Sequence, residues 1–155
     1  MELHVLRHGD ASEEFPVSSL QVVSSQPWGE STSTMALEHR FACLGLEKVV
    51  SSTSIRAAQT AERFVTAADL TQRIEWLDDL TPQDDLGVIE EFLQNTAVET
   101  ILMVSHLPLV EILIDLLIGE SEACMGTGNP TSVSMPCAGR GTAQLNWIQH
   151  ANGIY

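Results

Sequence analysis

Positive charge is what this sequence has least of. Its 155 residues include one lysine, Lys48, and six arginines against 21 acidic residues, a formal net charge of −14. A chain so short of cations has little with which to neutralise a phosphate backbone or to hold an anionic membrane surface, so no nucleic-acid partner and no membrane partner are expected. Cysteine is scarce too. Cys43, Cys124 and Cys137 are odd in number and have no Cys-x-x-Cys spacing. That excludes a disulfide framework and a zinc module and suits a reducing cytoplasm. Long apolar runs are missing as well: the longest, Leu107 to Ile118, is broken by Glu111 and Asp115 at i, i+4, the wet edge of an amphipathic helix. The chain becomes strand-like at once, without a basic segment and apolar stretch ahead of it, so no signal peptide is expected.

What is present fits one domain over residues 1–155, with 44% apolar residues to form a core. Glu2 to Leu6 reads as a buried strand. Residues 10 to 31, with Pro16, Pro27, Gly29 and several serines, read as an exposed loop or a flap over a site, with Trp28 packing it down. Met35, Leu37, Phe41 and Leu44 give a helix from Thr32 to Leu44 that Gly45 ends. A strand follows at Leu46 to Ser51. Ser52, Thr53 and Ser54 then offer N-caps for a helix whose apolar residues are Ile55, Ala58 and Ala61, leading to Phe64 and Val65.

Further along, Ile74 to Leu77 reads as a weak strand, Thr81 to Asp84 as a turn, and about Leu86 to Gln94 as a helix. The run Thr100 to Ser105 is the most strand-like in the chain, buried on both faces. Pro108 suits the start of a helix and Gly119 its stop. Residues 120 to 131 are polar and small. Ser132 to Met135 and Thr142 to Gln149 form a plausible hairpin. Strands alternating with helices at these spacings specify an α/β domain with a largely parallel sheet, whose ligands bind beyond the carboxyl ends of the strands.

The chemically loaded residues fall at those ends. Arg7-His8-Gly9 follows the first strand: the guanidinium fork of Arg7 matches phosphate, Gly9 lets the backbone come close to a ligand, and a neutral His8 imidazole is a competent nucleophile. Arg56 falls in the first turn of the helix after the second strand. A cation there opposes the helix dipole, a cost that a bound anion offsets. His106 closes the strand at 100–105. Arg7, His8, Arg56 and His106 thus converge on one sheet edge and describe a phosphate site. His4, inside the first strand, reads as a core residue more readily than as part of a His4/His8/His106 metal site. His39 and His150 read as surface positions, Asp10 as a turn cap or a partner of His8, and Met35 and Met103 as core filler.

Arg7-His8-Gly9, the run Ser52-Thr53-Ser54-Ile55-Arg56-Ala57-Ala58-Gln59-Thr60-Ala61, and Val104-Ser105-His106-Leu107-Pro108-Leu109-Val110 resemble the three signature segments of the histidine phosphatase, or phosphoglycerate mutase-like, superfamily. Leu80-Thr81-Pro82, Ser105-His106-Leu107-Pro108 and the short length are most similar to the bacterial phosphohistidine phosphatases of the SixA type. The resemblance covers nearly the whole chain. It implies a three-layer α/β/α sandwich around a mostly parallel sheet. It makes His8 the catalytic nucleophile, with Arg7, Arg56 and His106 holding the phosphoryl oxygens, and neither a cofactor nor a metal. The implied substrate is a histidine-phosphorylated protein such as a histidine-phosphotransfer domain or a phosphocarrier, met by a cytoplasmic monomer.

Two positions depart from the family pattern. An arginine that relatives carry in the first loop has no counterpart in Val23-Ser24-Ser25-Gln26-Pro27-Trp28-Gly29, and Thr53 stands where they have proline. The missing cation motivates an alternative, a non-catalytic phosphate-binding module; a small-molecule phosphate-ester phosphatase is the other. A mutase would need a more closed site than so short a chain builds. Asp78, Asp79, Asp84 and Asp85 are candidate general acids, among which the sequence does not choose.

Overall fold

A computed structural model of the protein describes residues 1–8, 45–78, 80, 85–119, 130–150 and 153–154. The strands are β1 (Glu2–Arg7), β2 (Lys48–Ser52), β3 (Ile74–Leu77), β4 (Thr100–Ser105), β5 (Pro130–Ser134), β6 (Gln144–His150) and β7 (Gly153–Ile154). The helices are α1 (Ile55–Ala67), α2 (Leu86–Asn95) and α3 (Leu109–Ile118). The helix expected at Thr32 to Leu44, the loop at 10 to 31, the turn at Thr81 to Asp84 and most of the segment at 120 to 131 lie outside the described residues.

The strands form one sheet in the order β3-β2-β4-β1-β5-β6-β7. From β3 to β1 every pairing is parallel, whereas β5, β6 and β7 are joined antiparallel. The hairpin expected at the C-terminal end is the β5–β6 pair. Its first strand starts two residues earlier than expected, at Pro130, which stands opposite Leu6; a proline is tolerated at the first position of a strand.

Alternation along the strands builds two cores. Leu3 and Val5 of β1, Val50 of β2 and Ile101 and Met103 of β4 point to one face, where they meet Ile89 and Leu93 of α2 and Val110, Leu113 and Leu117 of α3. Leu6, Val49, Leu102 and Val104 point to the other, against Ala57, Ala61 and Phe64 of α1 and Trp147 of β6. Helices therefore cover both faces, the three-layer α/β/α arrangement expected. Strand β4 lies between β1 and β2, and its Ile101, Leu102, Met103 and Val104 have no exposed surface. Burying each such side chain is worth about 1.5–3 kcal/mol.

Helix α1 shows why the site is held where it is. Ala57, Ala61 and Phe64, at i, i+4 and i+7, are its buried stripe. With that stripe fixed on the sheet, the first turn and Arg56 are placed at the carboxyl end of β2. His4 is fully buried in mid-strand, its ring stacked on Trp147 at 6.0 Å. That is the core position the sequence indicates.

Candidate active site

Three parallel strands end side by side, and the residues that follow them face a common space. Arg7 is the last residue of β1 and stands in register with Ser105, the last of β4. The chain leaving β1 remains tied to β4, since the His8 amide donates to the Ser105 carbonyl at 3.0 Å. His8 and His106 therefore emerge from adjacent strands. Their rings lie 4.8 Å apart, tilted by 55°, and each residue is only 8% exposed.

Arg56 approaches from the third side, in the first turn of α1. No acidic residue occupies that turn. Its charge is felt at His106, whose proton affinity is lowered, first by burial, then by the neighbouring His8 and then by Arg56. Arg7 contributes a buried Nε that has no hydrogen-bond partner among the described residues. A buried guanidinium nitrogen without a partner is costly unless an acceptor arrives. An anion set between Arg7, Arg56 and the two imidazoles would supply one. The arrangement could therefore receive an anion beside the two imidazoles.

The structure brings together His8, His106 and Arg56, and sets Arg7 directly before His8. Gly9, Asp10 and the loop from which an arginine is missing lie outside the described residues, as do Asp79, Asp84, His39, Cys43 and Cys124. Of the acids named from sequence, Asp78 is exposed, and Asp85 is occupied in capping α2, its Oδ1 accepting the Gly87 amide at 2.8 Å. Cys137 is free and exposed. His4 stays on the Trp147 side of the sheet, and among the described residues no group of three or more His, Cys, Asp or Glu is arranged to hold a metal ion.

Sequence reasoning missed two participants. Ser52 and Ser54, read only as helix caps, both reach His106: Ser54 Oγ lies 2.6 Å from its Nε2 and Ser52 Oγ 3.1 Å. Ser105, the residue before His106, donates its hydroxyl to the Leu80 carbonyl at 2.8 Å and so ties the segment after β3 to the end of β4.

No protein-family model matches the chain. Individual proteins do. Over 151 residues it is 33% identical to the phosphohistidine phosphatase SixA of Escherichia coli (strain K12), covering 95% of this chain and 92% of that protein. The solved structure of the protein histidine phosphatase SixA complexed with tungstate superimposes with a TM-score of 0.75 at 30% identity, over 98% of both chains. Bacillus stearothermophilus YhfR shares the fold at 17% identity, with a TM-score of 0.63 over 94% of this chain and 95% of that one. Identity of this extent along nearly the full length, on the same sheet and helices, means that the chain belongs to the SixA phosphohistidine phosphatase family of the histidine phosphatase superfamily.

Proposed function

We propose that this protein is a phosphohistidine phosphatase that acts through a transient phospho-His8. The observation that supports it most is the pairing of His8 with His106 at 4.8 Å beside the charge of Arg56. A nucleophile, a second imidazole and fixed cations are what phosphoryl transfer needs. In the first step a nitrogen of His8 attacks phosphorus as the bond from phosphorus to the substrate histidine breaks, and the departing imidazole leaves with the electron pair. In the second step water attacks phospho-His8, giving inorganic phosphate and restoring His8. Arg7, Arg56 and a protonated His106 hold the phosphoryl oxygens in both steps, and most of the catalysis comes from that fixed charge.

The substrate in this reading is a histidine-phosphorylated protein, such as a phosphotransfer domain or a phosphocarrier. Supporting it are the activity named for the E. coli relative and the exposed Ile55 and Arg56 that open α1, which present an apolar and a cationic contact beside the site. Imidazole is a better leaving group than an alkoxide, so no strong general acid is required. The reading includes a cytoplasmic monomer, in keeping with the unpaired Cys137. Among the described residues no helix is long and apolar enough to cross a membrane.

The test is loss of label from a phosphorylated histidine-phosphotransfer domain in the presence of a chelator, comparing wild type with His8→Ala. Rapid loss with wild type alone is expected. Hydrolysis of small phosphate esters but not of phosphohistidine protein would replace this reading with a small-molecule phosphatase. Anion binding without turnover of either substrate would leave a binding module.

A further inference from the structure

Ser54 is the N-cap residue of α1, with φ −63° and ψ 143°, yet its side chain makes no capping hydrogen bond. Serine is favoured at that position because its oxygen accepts an amide of the first turn. Here the hydroxyl goes elsewhere. Its Oγ lies 2.6 Å from His106 Nε2. The Ser54 amide in turn donates to Ser52 Oγ at 3.3 Å, and that oxygen stands 3.1 Å from the same ring nitrogen. Nε2 of His106 is thus flanked by two hydroxyls, of which Ser54 makes the shorter contact.

We propose that Ser54 is a positioning residue of the phosphoryl-transfer site, its hydroxyl fixing the ring orientation and tautomer of His106 opposite His8. This inference rests on the phosphatase reading above. A neutral imidazole has one donor nitrogen and one acceptor nitrogen, and the partner of either one decides which is which. The free site needs such a decision, because burial, His8 at the end of β1 and Arg56 on α1 all disfavour a proton on both nitrogens of His106. In this proposal the hydroxyl donates to a bare Nε2 in the free site, which places the ring proton on Nδ1, and because a serine hydroxyl rotates it accepts from Nε2 once the ring is fully protonated. The contact therefore persists when an arriving phosphoryl group draws a proton onto the ring. Without Ser54, Nε2 keeps the longer contact to Ser52 among the described residues, and a small displacement of a group that binds the reacting phosphoryl is expensive.

The experiment combines imidazole nitrogen NMR of His106 in phosphate-free buffer with steady-state dephosphorylation of a phosphohistidine protein. Wild type is compared with Ser54→Ala, Ser54→Gly and Ser54→Thr, and with Thr53→Ala as a control in the same turn. The expected result is that both deletions lose the fixed tautomer and lower kcat about tenfold with KM changed by less than about twofold. Ser54→Thr and Thr53→Ala should match wild type in both. The glycine variant repeats the deletion with a residue that helix N-caps accept, so poor folding of the alanine variant alone does not remove the test. A wild-type tautomer in both deletions, or a lower kcat without any spectral change, overturns the proposal. Failure of the function reading looks different: wild type would then release no phosphate from the phosphoprotein, while the spectra still decide the role of Ser54.

Discussion

The imidazoles of His8 and His106 face each other at 4.8 Å, and the charge of Arg56 falls on the second of them. In the free protein these neighbours and burial together hold the proton affinity of His106 below its ordinary value. An incoming dianion reverses part of that balance, because it repays with attraction what the cationic surroundings impose as repulsion. An anion bound at this ring should therefore take up a proton with it.

Sulfate makes the coupling measurable, since it stays dianionic throughout the range in which histidine titrates. Its affinity should rise as the pH falls from about 8 to about 6, approaching tenfold per unit where one proton is taken up per anion. Calorimetry in buffers of different ionisation enthalpy reads that proton directly. The slope should flatten in His106→Gln. A wild-type affinity that does not vary with pH would exclude His106 as the coupled group.

The same lowered affinity predicts a stability effect whose sign follows from linkage. The folded pKa of His106 lies below the ordinary histidine value of 6.5 that the unfolded chain has. Between the two, the unfolded state binds the extra proton and the folded state does not. The stabilising contribution is thus complete above 6.5 and is lost as the pH falls through 6.5 towards the folded value. Urea midpoints measured on both sides of that window should fall further for wild type than for His106→Gln. The many carboxylates affect both proteins alike, so the difference between their slopes isolates the ring; equal slopes would contradict the assignment.

Much of this was legible in the residues themselves. Ile74–Leu77 and Thr100–Ser105 are strands with the bounds their apolar runs indicate, and Gly119, at φ 87°, ends α3 as its position suggests. Elsewhere local pattern and tertiary context part company. β2 begins at Lys48 and not at Leu46, because Lys48 pairs with Ile101 while its ammonium reaches Glu75 at 2.8 Å and lies 5.0 Å from the Phe92 ring centre. A lysine with two such partners fits within a strand, but only the folded neighbours reveal them. Ser54 is the sharper case. Its sequence surroundings call for a cap, and what redirects the hydroxyl is a ring 52 positions away in the chain.

That redirection has an energetic consequence at the helix ends. Asp85 caps α2 through a 2.8 Å bond from the Gly87 amide, whereas Ser54 gives α1 no side-chain cap. Asp85→Ala should therefore cost about 1 kcal/mol of folding free energy through the lost cap, whereas Ser54→Ala, also an N-cap deletion, should cost about 0.5–1.5 kcal/mol through its hydrogen bond to His106, a cost that largely disappears when His106 is already replaced by alanine. Chemical denaturation at neutral pH in both backgrounds distinguishes them. A cost of Ser54→Ala that persists in full in the His106→Ala background would mean that the Ser54 hydroxyl serves the helix after all.

The end of α3 makes the opposite demand, for a residue with no side chain. The Gly141 amide donates to the Leu116 carbonyl at 3.0 Å and the Ala143 amide to the Leu117 carbonyl at 2.9 Å, so the turn before β6 caps the helix that follows His106. Those bonds bring two backbones together: a Cβ on Gly119 would stand 2.9 Å from the Gly141 Cα. Gly119→Ala therefore meets both a left-handed φ and a backbone clash. Gly45 separates the two effects, since its φ is 63° and a Cβ there meets nothing within 4 Å among the described residues. Gly45→Ala should cost about 1 kcal/mol from conformation alone, and Gly119→Ala at least about 1 kcal/mol more, through the displaced turn. Urea denaturation of the two variants measures the difference. Equal losses would show that the turn moves aside freely and that α3 does not depend on those two bonds.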